Sequence, residues 1–128
     1  LGGLVAITAE PLMPTPLMAI IIGGIGGALV FAGTELLTAM KIDDVVGAIP
    51  VHLIAGVWGT LAVPITNPDT SFGTQFLGTA SICVFVFVVS IIIWSIMKAT
   101  IGIRISEEAE KEGTDVAETG VIAYSIRD

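Results

Sequence analysis

Long apolar runs separated by short polar segments make up most of this chain. A hydrocarbon core about 30 Å thick takes about 20 apolar residues wound as a helix. Three runs meet that length: 17–40, with Glu35 its one charge; 45–65, whose one ionisable side chain past the start is His52; and 76–97, with Cys83 alone. The opening run, 1–7, is too short to cross and predicts the end of a fourth helix. Segments 8–16 and 66–71 are rich in Pro, Asn, Asp, Ser and Thr, which predicts turns. The pattern therefore predicts an all-α integral membrane protein, with a membrane part over 1–103 and a polar tail over 104–128.

Small residues are dense inside the first two full spans. Ala19, Gly23 and Gly27 recur every fourth residue, as do Gly56 with Thr60 and Ala55 with Gly59. Such spacing lets helix backbones approach closely in lipid. It predicts helices packed in a crowded bundle, and packing alone accounts for these glycines.

Composition sharpens the picture. Hydrophobic residues make up 54% of the 128, charged residues 13%, and the mean hydropathy is +0.96. A soluble domain carries about a quarter charged residues. The net charge of −7 is uneven, because seven of the twelve acidic residues lie in 107–128. That distribution excludes a basic nucleic-acid surface. The basic residues Lys41, Lys98 and Arg104 follow the first and third spans, whereas 8–16 and 66–73 hold no Lys or Arg. The positive-inside rule then predicts that Lys41, Lys98, Arg104 and the acidic tail face the cytoplasm of a cell (plasma or inner) membrane. A lone Cys83 excludes an internal disulfide, and no CxxC, Walker loop or GxSxG occurs. Nothing points to an enzyme, a cofactor or a metal site. The chain opens at Leu1 within an apolar run and has no basic n-region, so it reads as a piece of a longer protein rather than a signal peptide.

His52 asks for an explanation. The Asp43-Asp44 pair suits a helix N-terminus, where acidic side chains cap free N–H groups. Eight helical residues at about 1.5 Å each would put His52 roughly 12 Å deep, near the middle of the bilayer. Ala48, His52, Gly56 and Thr60 recur every fourth residue, which predicts one face of small side chains turned into the bundle. An imidazole at that depth must pair its nitrogens or meet water. Two readings stand: a residue on a substrate or proton path, or a packed histidine bonded to a neighbouring carbonyl or hydroxyl. A neutral imidazole has one donor and one acceptor, enough to bind a small polar molecule. Pro50 lacks the N–H that would reach Val46, which predicts a bend just before His52. Glu35 reads as a residue that snorkels or pairs locally, and Trp58 and Trp94 read equally as packing or function. In the tail, Ser106 is placed to cap a short helix opening with Glu107 and Glu108, which Gly113 ends.

The run KIDDVVGAIPVHLIAGVWG, from Lys41 to Gly59, resembles the tenth transmembrane segment of the ammonium transporter family (Amt/Mep/Rh). There an Asp-Asp pair precedes a His by about eight residues, with glycines four and seven positions after it. Residues 2–8 resemble the end of that family's eighth segment. Residues 102–115 resemble its cytoplasmic tail, which continues toward a Gly and a Tyr, here Gly120 and Tyr124. Three motifs in order cover nearly the whole chain. The departures are Gly47, where many members have Asp, Pro50 two residues before the His, and Thr119, where many have His.

The resemblance implies a homotrimer of eleven-helix protomers, each with a narrow apolar pore lined by two histidines, of which His52 resembles the second. It implies ammonium or ammonia as substrate, with methylammonium as analogue and the lipid bilayer as surroundings. His52 and Ala48 are then pore or substrate residues, and Asp43, Asp44, Gly56 and Gly59 support the helix start and pore. A regulatory tail carrying Gly113, Asp115, Gly120 and Tyr124 would couple the pore to a PII-type signalling protein. An apolar lumen excludes a bare ion, so ammonia and its proton would cross by coupled routes through the histidines. The alternatives are an ammonium sensor that signals instead of conducting, and a non-transporting scaffold in which His52 is merely packed.

Overall fold

The computed structural model describes residues 1–123, and every regular element among them is helical. In order these are α1 (Gly2–Ile7), α2 (Pro16–Ala39), α3 (Ile49–Thr66), α4 (Phe72–Thr100), α5 (Glu107–Glu112) and α6 (Thr114–Thr119). Helices α2, α3 and α4 are each long and apolar enough to cross a membrane. Two compact units result, Leu1–Phe85 and the residues from Val86 onward.

The ends of α2 follow from local chemistry. Thr15 caps it, its hydroxyl accepting from the Met18 N–H at 3.3 Å, and Pro16 occupies the first turn, where its missing N–H costs nothing. At the other end the Ile42 and Lys41 N–H groups fold back onto the carbonyls of Leu37 and Thr38, both at 3.0 Å. That closure puts Lys41 at φ +57°, a left-handed conformation usually left to glycine.

In the first unit α1 is the wedge. Ala6, 1% exposed, sits between α2 and α3 with Ile22 and Ala62, and Ile7 and Trp58 close over them. Glycine makes this approach possible. A Cβ on Gly26 would lie 2.6 Å from that of Ala6, and a Cβ on Gly59 would strike the Ala6 carbonyl. The Trp58 indole N–H donates to the Ile22 carbonyl at 3.0 Å, which makes this tryptophan a packing residue.

The α2 seam departs from the spacing expected of it. Gly24 and Gly27 face open space, and the contacting face runs through Ile22, Gly23, Gly26, Val30 and Gly33. A strict four-residue repeat drifts by about 40° per step around a helix of 3.6 residues per turn, whereas alternating threes and fours stay on one face. Gly33 receives Pro50, the largest fully buried side chain among the described residues, together with Ile54.

Helix α4 is longer than the predicted span 76–97 at both ends. Ser71 starts it, accepting from the Thr74 N–H at 3.1 Å, and the Gly102 N–H closes it on the Met97 carbonyl at 3.1 Å. None of its residues is buried, and its apolar side chains are spread around the helix rather than gathered in one stripe. A helix of that kind belongs in lipid or inside a larger protein.

In the second unit Ser106 caps α5, accepting from the Ala109 N–H at 3.2 Å, and Gly113 ends it at φ +104°. Gly113 also precedes α6, which stops at Gly120 in the left-handed region.

Candidate functional site

The site is built by the first turns of α3. Asp44 lies ahead of the helix, and its carboxylate accepts from the N–H groups of Ala48 and Ile49, each at 2.8 Å. Pro50 has no N–H, and the Val51 N–H reaches the Gly47 carbonyl at 3.0 Å. The donors that open a helix are thus all satisfied or absent. Asp43 is exposed, and its carboxylate makes no hydrogen bond among the described residues.

This start corrects two expectations. The helix begins at Ile49, not at 45, because Gly47 stands at φ +68° and turns the chain before the helix opens. His52 is therefore in the first turn of α3 rather than eight helical residues beyond Asp44. Pro50 does not bend a helix already under way; it sits in the opening turn, where proline is tolerated.

Residues Ile49–Ile54 wind as a π-helix and pass into α-helix at Ala55, whose N–H reaches back to the Pro50 carbonyl. Such wide turns are rare and occur frequently at functional sites. The winding leaves His52 exposed, whereas Pro50, packed against Gly33 of α2, and Ala55 are buried. His52 is exposed within the described residues, and its ring makes no hydrogen bond there.

A cleft of about 300 Å³ opens beside His52. Leu53, Gly56, Val57 and Thr60 form its α3 wall, and the first half of α4 forms the other, with Gln75, Gly78, Thr79, Ile82 and Cys83. The expected face is partly assembled. His52, Gly56 and Thr60 line the cleft together, whereas Ala48 is exposed and lies outside its lining, because i→i+5 winding breaks a four-residue repeat. Gly59 faces the opposite way, onto Ala6. The Thr60 hydroxyl is committed to the Gly56 carbonyl at 3.0 Å.

The α4 wall was absent from the sequence reading. Gln75 falls one residue before the predicted span, and Thr79 is four residues later inside an apolar run. Two polar side chains at i, i+4 in such a run were the available signal.

At the far end of α2 and α3 the two loops without basic residues join, the Asn67 amide donating to the Glu10 carboxylate at 2.8 Å. In the tail, the Asp115 carboxylate accepts from the Ala123 N–H at 2.7 Å, between Gly113 and Gly120. Tyr124 lies outside the described residues. Among the described residues no three His, Cys, Asp or Glu side chains gather as a metal site would require.

The sequence profile of the Ammonium Transporter Family matches residues 1–124. The chain is 36% identical to the ammonium transporter of Bacillus subtilis over 140 aligned residues, covering 97% of the chain and 35% of that protein. It is 34% identical to ammonium transporter Amt1 of Haloferax mediterranei over 129 residues, covering 97% and 25%. Ammonium transporter Amt2 of Archaeoglobus fulgidus is 34% identical over 144 residues, at 96% and 31% coverage. The chain spans a quarter to about a third of the length of these relatives.

Proposed function

Because this chain belongs to the Ammonium Transporter Family, we propose that it contributes the His52 wall of a path along which ammonia crosses the membrane. The observation that carries the proposal is the placement of His52. An imidazole with no committed partner among the described residues projects from a π-wound turn into a cleft walled by Leu, Val, Ile and Gly together with Thr60, Gln75, Thr79 and Cys83.

The physical logic follows from that wall. A bare ion in an apolar passage lacks compensation for its lost water, and the cost applies to ammonium and potassium alike. Ammonia without its extra proton is neutral and passes more cheaply. His52 accepts a hydrogen bond from the permeating molecule at one ring nitrogen and donates at the other, so it can hold ammonia and hand a proton onward. Asp44 and the buried Pro50 act indirectly, by fixing where the turn starts and which way His52 points. Ala48, Gly56 and Gly59 support the same turn and its packing.

The loops joined by Glu10 and Asn67 then face outward, and Lys41 with the acidic tail faces the cytoplasm of a plasma or inner membrane, in keeping with the basic residues. The assembly we propose is a homotrimer. A PII-type signalling protein would read the tail at Gly113, Asp115, Gly120 and Tyr124.

The test is uptake of labelled methylammonium by transport-deficient cells expressing the protein from its complete open reading frame, with His52→Ala at matched membrane expression. Uptake by the wild type and its loss in the variant are expected. Equal uptake by both would remove His52 from the path, and no uptake by well-expressed wild type would favour a sensor.

A further inference from the structure

Pro50 and Ala55 are five residues apart and both buried, Ala55 at 0% exposure and Pro50 as the largest fully buried side chain among the described residues. In an α-helix of 3.6 residues per turn, positions five apart stand about 140° from each other around the axis. An i→i+5 turn stacks them on one face. Burying both therefore favours the π winding of Ile49–Ile54. His52, two residues past Pro50, is left off that face and exposed. What seats Pro50 is Gly33 of α2. A Cβ on Gly33 would lie 2.6 Å from Ile54 Cδ1 and 3.3 Å from Pro50 Cβ. The neighbouring hydroxyls add no polar hold, because Thr34 donates to the Val30 carbonyl and Thr38 to that of Thr34 within α2. The fit at Gly33 is steric.

We propose that Gly33 is a positioning residue for His52: the space its missing side chain leaves seats Pro50 and Ile54, holds the turn in its π winding, and so fixes the direction of the imidazole. The proposal rests on the reading of His52 as a path residue. Gly33 touches no permeating molecule; it acts through Pro50. A wide turn is rare, so it needs a packing reason to persist. The Asp44 cap does not supply one, because its bonds to the Ala48 and Ile49 N–H groups lie ahead of the turn and serve either winding. The seat at Gly33 does. A methyl group at position 33 would press on Ile54 and Pro50, and rewinding the segment relieves that pressure. One residue of slip turns a helix by about 100°, which moves His52 away from the cleft it lines.

The experiment uses the protein expressed from its complete open reading frame, purified and reconstituted in liposomes at equal amounts of folded protein. Ammonium flux is read per molecule, and melting temperature beside it. Gly33→Ala is the test and Gly26→Ala its control. A Cβ on Gly26 also meets a side-chain atom at 2.6 Å, but that atom is the Ala6 Cβ of α1 and not part of the turn. Both variants are expected to melt earlier. Only Gly33→Ala is expected to lose maximal flux per molecule, by at least about tenfold, since a misplacement of about 1 Å can cost about a hundredfold where geometry governs a step. Ile54→Val removes the Cδ1 that the new methyl group meets, so Gly33→Ala combined with Ile54→Val is expected to recover at least half of the flux. Equal loss per molecule in Gly26→Ala and Gly33→Ala would make Gly33 a packing residue only and overturn the proposal. So would a folded double variant as slow as Gly33→Ala.

His52→Ala runs alongside. If it abolishes flux while Gly33→Ala conducts as the wild type does, this proposal falls and the reading of His52 stands. If His52→Ala conducts normally, both fall. Where Gly33→Ala yields no folded protein, Pro50→Ala asks the same question by emptying the seat instead of crowding it. The expected result is again a loss of flux per molecule, and wild-type flux in folded Pro50→Ala protein would overturn the proposal.

Discussion

At the scale of single residues, Asp44 and Gly47 determine how the critical turn begins. One carboxylate satisfies two helix-opening N–H groups, and charge-assisted bonds of this kind are stronger than neutral ones. Asp44→Ala is expected to lower stability by about 1–2 kcal/mol, read as a fall in melting temperature of the purified protein, while Asp43→Ala leaves it nearly unchanged. Gly47 stands at φ +68°. An L side chain there costs about 1–2 kcal/mol, with Asn and Asp penalised least. Gly47→Ala should therefore destabilise more than Gly47→Asp, and the same melting comparison checks the order. The sequence exposed part of this. The Asp pair announced a helix start, and His52 stood out as the one ionisable group within its span. What it concealed was the offset: three residues of turn separate Asp44 from Ala48, so counting helical residues from the aspartates misplaced His52 along the helix. Lys41 was concealed as well, since a lysine gives no local hint of a left-handed closure.

At the scale of elements, close approach governs the fold. Gly59 lies against the Ala6 carbonyl and Gly26 against the Ala6 side chain, so α1, α2 and α3 meet backbone to backbone. Gly59→Ala would push a methyl group into main-chain atoms that cannot move aside. Overpacking of this kind costs about 1–3 kcal/mol. The expected outcome is reduced folded yield and an earlier thermal transition, measured by fluorescence-detected gel filtration after heating; a melting curve matching the wild type would contradict the packing described. By contrast, the exposed Arg104–Glu110 pair at 2.7 Å belongs to a class worth at most about 1 kcal/mol, and Arg104→Ala is expected to leave the same curve unmoved. The number of membrane-length helices among the described residues and their approximate extent were legible because twenty-residue apolar runs have few other outcomes, whereas α6 in the tail was not foreseen. The seam of α2 was legible only as a richness in glycine. Choosing Gly26 and Gly33 over Gly27 depends on where the neighbouring helices press, which a single run of sequence does not encode.

At the scale of the whole molecule, the account joins family membership, three membrane-length helices and one imidazole at a cleft. The loops joined by Glu10 and Asn67 are expected on the opposite side of the membrane from the tail. Single cysteines placed at Asp69 and at Glu112, in a Cys83→Ser background, should be labelled by impermeant reagents from opposite sides of oriented vesicles; labelling from one side would overturn the topology. The central claim is that His52 stands on the permeation path and lets ammonia through while ions are held back. His52→Glu tests it most directly, because a carboxylate in the same turn would compensate a bare cation. In liposomes containing equal amounts of wild-type or variant protein, ammonium and potassium permeability are measured side by side. The expected result is ammonium flux without potassium flux in the wild type and a clear potassium flux in His52→Glu. Equal potassium exclusion by both proteins, with ammonium flux intact, would contradict the account.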